Sequence, residues 1–176
     1  IPSSTIHFTD LPEQQQTGLY SYVVIQNISG LDAGDEVGLF DAAGVLYNCD
    51  PDDGCSSPTY GDMLVASGVY DGSQLSLVAT MSYAPIGENG PVLNGAVDGN
   101  DIIIRVWNED LDHEHEATAV YDEGDGTYEG TSLSIISDLD AYVYGCDDPD
   151  ATNYDLFVTY NDGSCIYTVP QSVEIG

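Results

Sequence analysis

The chain has 176 residues and carries 31 acidic side chains against a single Arg and no Lys, a formal charge of −30. A surface this negative repels phosphate, which excludes nucleic-acid binding and anionic-membrane binding, and without a Lys or a glycine-rich Walker loop phosphoryl transfer is disfavoured as well. No apolar run approaches the ~18 residues of a spanning helix, which argues against membrane insertion, yet 42% hydrophobic residues and 13 Tyr are enough to build a core.

Helical periodicity is almost absent, and short alternating runs recur between Gly, Asp and Asn turns. In chain order the predicted strands are 4–8, 19–28, 36–41, 63–70, 74–81, 101–107, 115–121 and 132–137. Asp71-Gly72, Asp98-Gly99 and Asp125-Gly126 supply turn chemistry between them. Many short strands at this spacing predict an all-β fold, an antiparallel two-sheet sandwich of Ig-like or jelly-roll-like type. The sandwich is expected over residues 1–140, its first strand a candidate for exchange with a neighbouring copy. From about residue 141 Gly, Asp, Asn and Tyr dominate, so 141–167 reads as a small Cys-bounded, Asp-rich module and 168–176 as a tail strand.

Cys49, Cys55, Cys146 and Cys165 allow three pairings. The local one, Cys49 with Cys55 and Cys146 with Cys165, closes two polar loops. Zinc is the rival, but the spacings are not CxxC and no His lies near either pair. Disulfides imply an oxidising, extracellular setting, and on the chain-entropy model the larger loop gains about 3 kcal/mol. The start at Ile1-Pro2 fits an exported chain with its signal removed.

Self-repulsion needs an answer. Thirty like charges on a sphere of roughly 20 Å radius cost a few tens of kcal/mol even when screened. That exceeds the ~5–15 kcal/mol of ordinary net stability. The term scales as charge squared, so a few bound divalent cations would remove a large part of it. High salt in the habitat, bound hard cations, or both are expected.

Two stretches carry a resemblance. Gly145-Cys146-Asp147-Asp148-Pro149-Asp150-Ala151-Thr152-Asn153-Tyr154-Asp155, followed by Asn161-Asp162-Gly163-Ser164-Cys165, resembles a Cys-bounded repeat of secreted surface proteins of environmental bacteria, notably Bacteroidota. The one departure is Asn161, where the pattern usually has Asp. More loosely, Gly34-Asp35-Glu36-Val37-Gly38-Leu39-Phe40-Asp41, the run from Gly99 to Trp107, and Ala117 to Tyr128 are similar to β-sandwich segments of the same proteins. The resemblance implies an extracellular, structural or adhesive role.

The loop from Cys146 to Cys165 is the leading metal candidate. Asp148, Asp150, Asn153, Asp155, Asn161 and Asp162 place six oxygen-bearing side chains inside it, and Ca²⁺ takes six to eight oxygens. The spacing is not an EF-hand, and the alternative is a loop of Asx turns that binds nothing. Asp50, Asp52 and Asp53 form a smaller candidate that needs outside ligands. Asp98, Asn100, Asp101, Asp122 and Asp125 read as turn caps. His113 and His115 share one face of a strand but lack a third ligand. Arg105 is expected to face outward or to pair with a carboxylate as a clamp.

No Gly-x-Ser-x-Gly elbow or HExxH is present, and with so many carboxylates no acid pair singles itself out, so the expectation is a protein that is not an enzyme. The leading reading is a secreted structural subunit, stabilised by calcium and disulfides, that forms a head-to-tail homopolymer by strand exchange or cation bridging. The alternative is a calcium-dependent adhesin or carbohydrate-binding module, partnered by glycans or other cell-surface proteins. Tyr20, Tyr22, Tyr47, Tyr60, Tyr83 and Trp107 would be its stacking platform.

Overall fold

The computed structural model describes residues 6–9, 17–47, 59–83 and 93–168. Cys49, Cys55, Asp50, Asp52, Asp53 and the tail strand beyond 168 lie outside them. Among the described residues there is no helix, and none is available to cross a membrane. The strands are β1 (Tyr20–Ser29), β2 (Glu36–Tyr47), β3 (Thr59–Val69), β4 (Leu75–Thr80) and β5 (Ile103–Asn108), then β6 (His113–Glu116), β7 (Thr118–Glu123), β8 (Leu133–Asp140), β9 (Tyr144–Gly145) and β10 (Tyr160–Asn161). The chain divides between Ala141 and Tyr142 into two compact units.

The first unit is a two-sheet sandwich. One sheet has the order β4-β1-β8-β7 and the other β3-β2-β5-β6. All pairings are antiparallel except β1 with β8, which run parallel with Tyr22 opposite Leu133 and Ile25 opposite Ile136. Strand alternation builds the core. Val23, Ile25, Leu77, Ala79, Ile136 and Leu139 from one sheet meet Val37, Leu39, Val65, Ile104 and Val106 from the other. Tyr128, on the β7–β8 connection, is completely buried and donates its hydroxyl to the carbonyl of Phe40 at 3.0 Å.

Two predicted strands need correction. The run 115–121 is not one strand. It is the end of β6 and the start of β7, which belong to opposite sheets, and the chain changes sheet at Ala117, whose N–H still bonds the Ile104 carbonyl at 2.9 Å. Alternation keeps its period of two through such a corner, so the pattern alone does not reveal it. The described part of 4–8 is not a strand either. Residues 6–9 form no ladder, and their polar groups are met by side chains of the second sheet.

β2 lies between β3 and β5, and every residue from Asp35 to Asp41 is buried, on both faces. Its carboxylates are buried as well. Asp41, 1% exposed, accepts hydrogen bonds from the N–H groups of Ala43 and Val97, both at 2.8 Å. The Asn100 amide reaches both of its oxygens, at 2.9 and 3.0 Å. Asp35 accepts from the N–H of Asp32 and of Glu109, both at 2.9 Å. Gly95 completes the crossing that Asp41 holds: a Cβ there would lie 2.4 Å from the carbonyl carbon of Met81, at a φ of +152°.

Asp41→Ala should destabilise the first unit by about 3 kcal/mol, because the Ala43 and Val97 N–H groups and the Asn100 amide lose a buried acceptor that ties three segments together. Chemical denaturation followed by circular dichroism measures this. Tyr128 gives a pH signature. Burial, and next the charge of Asp41, push its phenol well above the ordinary 10.0. A raised acid contributes stability in full below the unfolded value and loses it as pH rises above that value toward the folded one. Stability should therefore fall steeply above about pH 10. Tyr128→Phe should cost about 1 kcal/mol at neutral pH and flatten that alkaline slope.

Candidate functional site

In the second unit the disulfide Cys146–Cys165 is formed, with Cα atoms 4.9 Å apart. β9 and β10 pair in parallel beside it, Tyr160 opposite Tyr144 and Asn161 opposite Gly145. The oxygen-bearing side chains of this loop are turned toward backbone amides. Asp148 accepts from the N–H of Asp150, Asp155 from that of Phe157 and Asp162 from that of Ser164, each at 2.9 Å, and Asn161 from that of Gly163 at 2.8 Å. All four are Asx turns, two residues forward. Asn153 bridges the loop instead, donating to the Ser164 carbonyl at 2.9 Å and accepting from Ile166 N–H at 2.8 Å.

Two details bear on the calcium expectation. Asn161, the residue that departs from the repeat pattern, donates its amide to the carboxylate of Asp147. A neutral donor thus stands where a second carboxylate would call for a cation. Among the described residues, no three His, Cys, Asp or Glu side chains come together in a way that could hold a metal ion. Asp50, Asp52 and Asp53 fall outside the described residues.

Electrostatics follow the same hydrogen bonds. The Tyr167 hydroxyl, bonded to Asp148 at 2.6 Å, and then the Asp150 N–H hold the Asp148 carboxyl below the ordinary aspartate value. The side chain of Ser164, and next its N–H, lower Asp162 in the same way. In the first unit Asp125 caps Thr127, Asp98 accepts from Gly130 N–H at 3.0 Å, Asn100 serves Asp41, and Asp101 bridges Thr127. The rings of His113 and His115 stack 5.7 Å apart on one strand face, and His115 Nε2 bonds the Ala141 carbonyl at 2.8 Å.

Of the expected stacking residues, Tyr22 and Trp107 do not share a face. Tyr22 stands on the outer face of the first sheet and Trp107 on that of the second, where the His7 ring covers it at 3.7 Å and 6°. The second unit holds a different aromatic group. Tyr142, Tyr144 and Tyr160 lie 5.2–6.1 Å apart, ring to ring, with Tyr144 and Tyr160 about half exposed. The Tyr-x-Tyr alternation at 142 and 144 is a signal for two of these three rings. The register that brings Tyr160 to it was not visible in the sequence.

The most fully built site seats the segment expected as an exchangeable first strand, on a sheet face rather than at a sheet edge. Ile6–Thr9 docks on the outer face of the β3-β2-β5-β6 sheet. The Glu36 carboxylate accepts from two successive amides, His7 N–H at 2.8 Å and Phe8 N–H at 2.9 Å. The Phe8 ring, 4% exposed, lies in a notch over Gly38 and meets Phe40 edge-on at 5.5 Å. A Cβ on Gly38 would approach Phe40 to 2.8 Å and Phe8 to 3.2 Å, so the notch depends on glycine. His7 Nε2 meets Glu114 at 2.9 Å, and Ser67 donates its hydroxyl to the Phe8 carbonyl at 3.3 Å. Arg105 buttresses this face. Its guanidinium grips Asp62 with two bonds of 2.8 Å and lies 4.2 Å over the Phe40 ring. The expected clamp is thus present, with Asp62 as its partner.

The chain matches no family model, no curated protein and no solved structure.

Tyr167→Phe should raise the Asp148 midpoint toward the ordinary 3.8, read from carboxyl chemical shifts in an NMR titration. The sign is fixed by linkage: a depressed carboxyl contributes stability above its unfolded value and loses it as pH falls through the folded one. The variant should therefore show less acid-dependent loosening of the Cys146–Cys165 loop below about pH 4.

Proposed function

We propose that this protein is a structural subunit of an extracellular filament or surface appendage, and that its copies meet through the outer face of the first sheet. One observation carries the reading. Across β4, β1 and β8 the outward rows are Val78, Tyr22, Leu133 and Ser76, Val24, Ile135, aligned in register and without a single charge. Val78, Tyr22 and Leu133 are 45–47% exposed. In a chain of charge −30, two copies approach at least electrostatic cost where neither presents a carboxylate.

Six side chains are far fewer than the ~20–30 residues per partner of a stable pairwise interface, so a single contact is weak and gains strength through repetition. Divalent cations enter as counter-ions on the surrounding acidic faces. The Cys146–Cys165 disulfide and the resemblance to secreted surface proteins support an extracellular setting. A second reading, an adhesin or carbohydrate-binding module, is favoured by the cluster of half-exposed Tyr144 and Tyr160 beside Tyr142, whose rings suit stacking on a neutral sugar better than an anionic one.

Negative-stain electron microscopy and sedimentation of the purified protein, with calcium and after chelation, test the first reading. Wild type should form polymers that grow with concentration and shorten on chelation. Leu133→Asp and Val78→Asp should each remain monomeric while keeping the wild-type circular dichroism spectrum. A wild type that stays monomeric in calcium at every concentration overturns the reading, and a glycan bound by that monomer puts the second in its place.

A further inference from the structure

Resting on the assembly reading, we infer that the groove holding Ile6–Thr9 is a peptide receptor whose occupant is exchanged between copies of this chain. Every anchoring hydrogen bond of the segment runs to residues 28 to 107 positions away, on β2, β3 and β6. None of this geometry depends on the residues that join the segment to β1. An identical segment from a second copy makes the same contacts with the same atoms.

The receptor is specific in three respects. Glu36 reads backbone, since one carboxylate takes two consecutive N–H groups. The Gly38 notch reads an aromatic ring at the second of these positions. Trp107 and Glu114 read a flat ring with an N–H at the first. Clefts of about 320 and 390 Å³ flank Ile6, which remains 59% exposed. The groove therefore extends past the side chains now seated in it.

Charge selects the occupant. The groove is rimmed by Glu36, Glu109, Asp112 and Glu114, which repel most of an acidic chain. Residues 1–9 contain no Asp or Glu. A second copy can offer this stretch to the groove while its acidic surfaces stay clear. Exchange that is not reciprocal is head-to-tail, and it propagates when it does not close.

The experiment uses the full chain. A fluorescent peptide of residues 3–9, Ser-Ser-Thr-Ile-His-Phe-Thr, is titrated against wild type and against Phe8→Ala. Separately, wild-type chains labelled with two dyes are mixed and energy transfer is followed with concentration. The Phe8→Ala chain should bind the peptide about ten-fold more tightly than wild type, whose own segment competes for the groove. Peptide binding should vanish in Glu36→Gln, and a Phe-to-Ala peptide should not bind. Energy transfer should rise with concentration in wild type and be lost in Phe8→Ala.

Peptide binding without energy transfer overturns exchange and leaves the segment an intramolecular strap. No peptide binding to a folded Phe8→Ala chain overturns the receptor itself. The two proposals separate cleanly: polymers that persist in Phe8→Ala overturn exchange and leave the sheet-face contact standing, whereas energy transfer that persists in Leu133→Asp keeps exchange and removes the sheet-face contact.

Discussion

The fold depends on how it buries carboxylates against backbone amides. Asp35, Glu36 and Asp41 all lie on or beside β2, all are less than a tenth exposed, and each is surrounded by N–H donors. Amide dipoles aimed at a carboxylate stabilise its charged form, and in a low-dielectric setting they do so more strongly than water-exposed donors. Each of the three spans a different long-range junction. Asp35 fixes the entry to β2 against the β5–β6 turn, Glu36 fixes Ile6–Thr9, and Asp41 fixes the crossing at Val97 and Asn100. A hydrophobic strand in the same place would supply burial but no directional tie between these segments.

The same chemistry recurs at the surface in a weaker form. Asp71, Asp125, Asp148, Asp155 and Asp162 each accept a backbone N–H two residues on. Much of the acidity is thus structural, since these carboxylates shape turns that would otherwise need glycine or water. The charge is also unevenly distributed. β1 and β4 contain no acidic residue, whereas β2, β3 and β6 do. Arg105, the only permanent cation, lies on the carboxylate-bearing sheet, against Asp62 and within 3.9 Å of Glu114.

The elements most legible in the sequence were those whose alternation answers to burial alone. β1, β4 and β8 alternate because one face meets the core, and the sequence places β1 and β4 within one residue at each end and the start of β8 likewise, ending it three residues early. Glu36 and Gly38 were visible only as members of a strand. Their role depends on a segment about thirty residues earlier lying across the outer face, and nothing in local periodicity encodes that third layer. Asp148, Asp155, Asn161 and Asp162 were legible as oxygen donors, but a cage and a series of Asx turns have the same composition. The Asx turns themselves depend on which neighbouring N–H each oxygen meets in the folded loop, which composition does not encode.

Burial of β2 on both faces links the two surfaces argued to matter for assembly. A sandwich normally leaves the outer face of each sheet to solvent, and here only the first sheet does so across its central strands. On the second sheet the outer face of β2 is an aromatic notch and a buried carboxylate, which are costly to leave bare: an empty groove would expose Phe40 and Trp107 and leave Glu36 without its two N–H donors. That cost demands an occupant without specifying whose chain it comes from. At low concentration the tethered segment wins by effective concentration, and as copies crowd together an untethered one competes on equal contacts. The uncharged rows across β4, β1 and β8 are where crowded copies of so acidic a chain meet with least repulsion, so association through one sheet raises the local supply of the peptide that the other sheet requires.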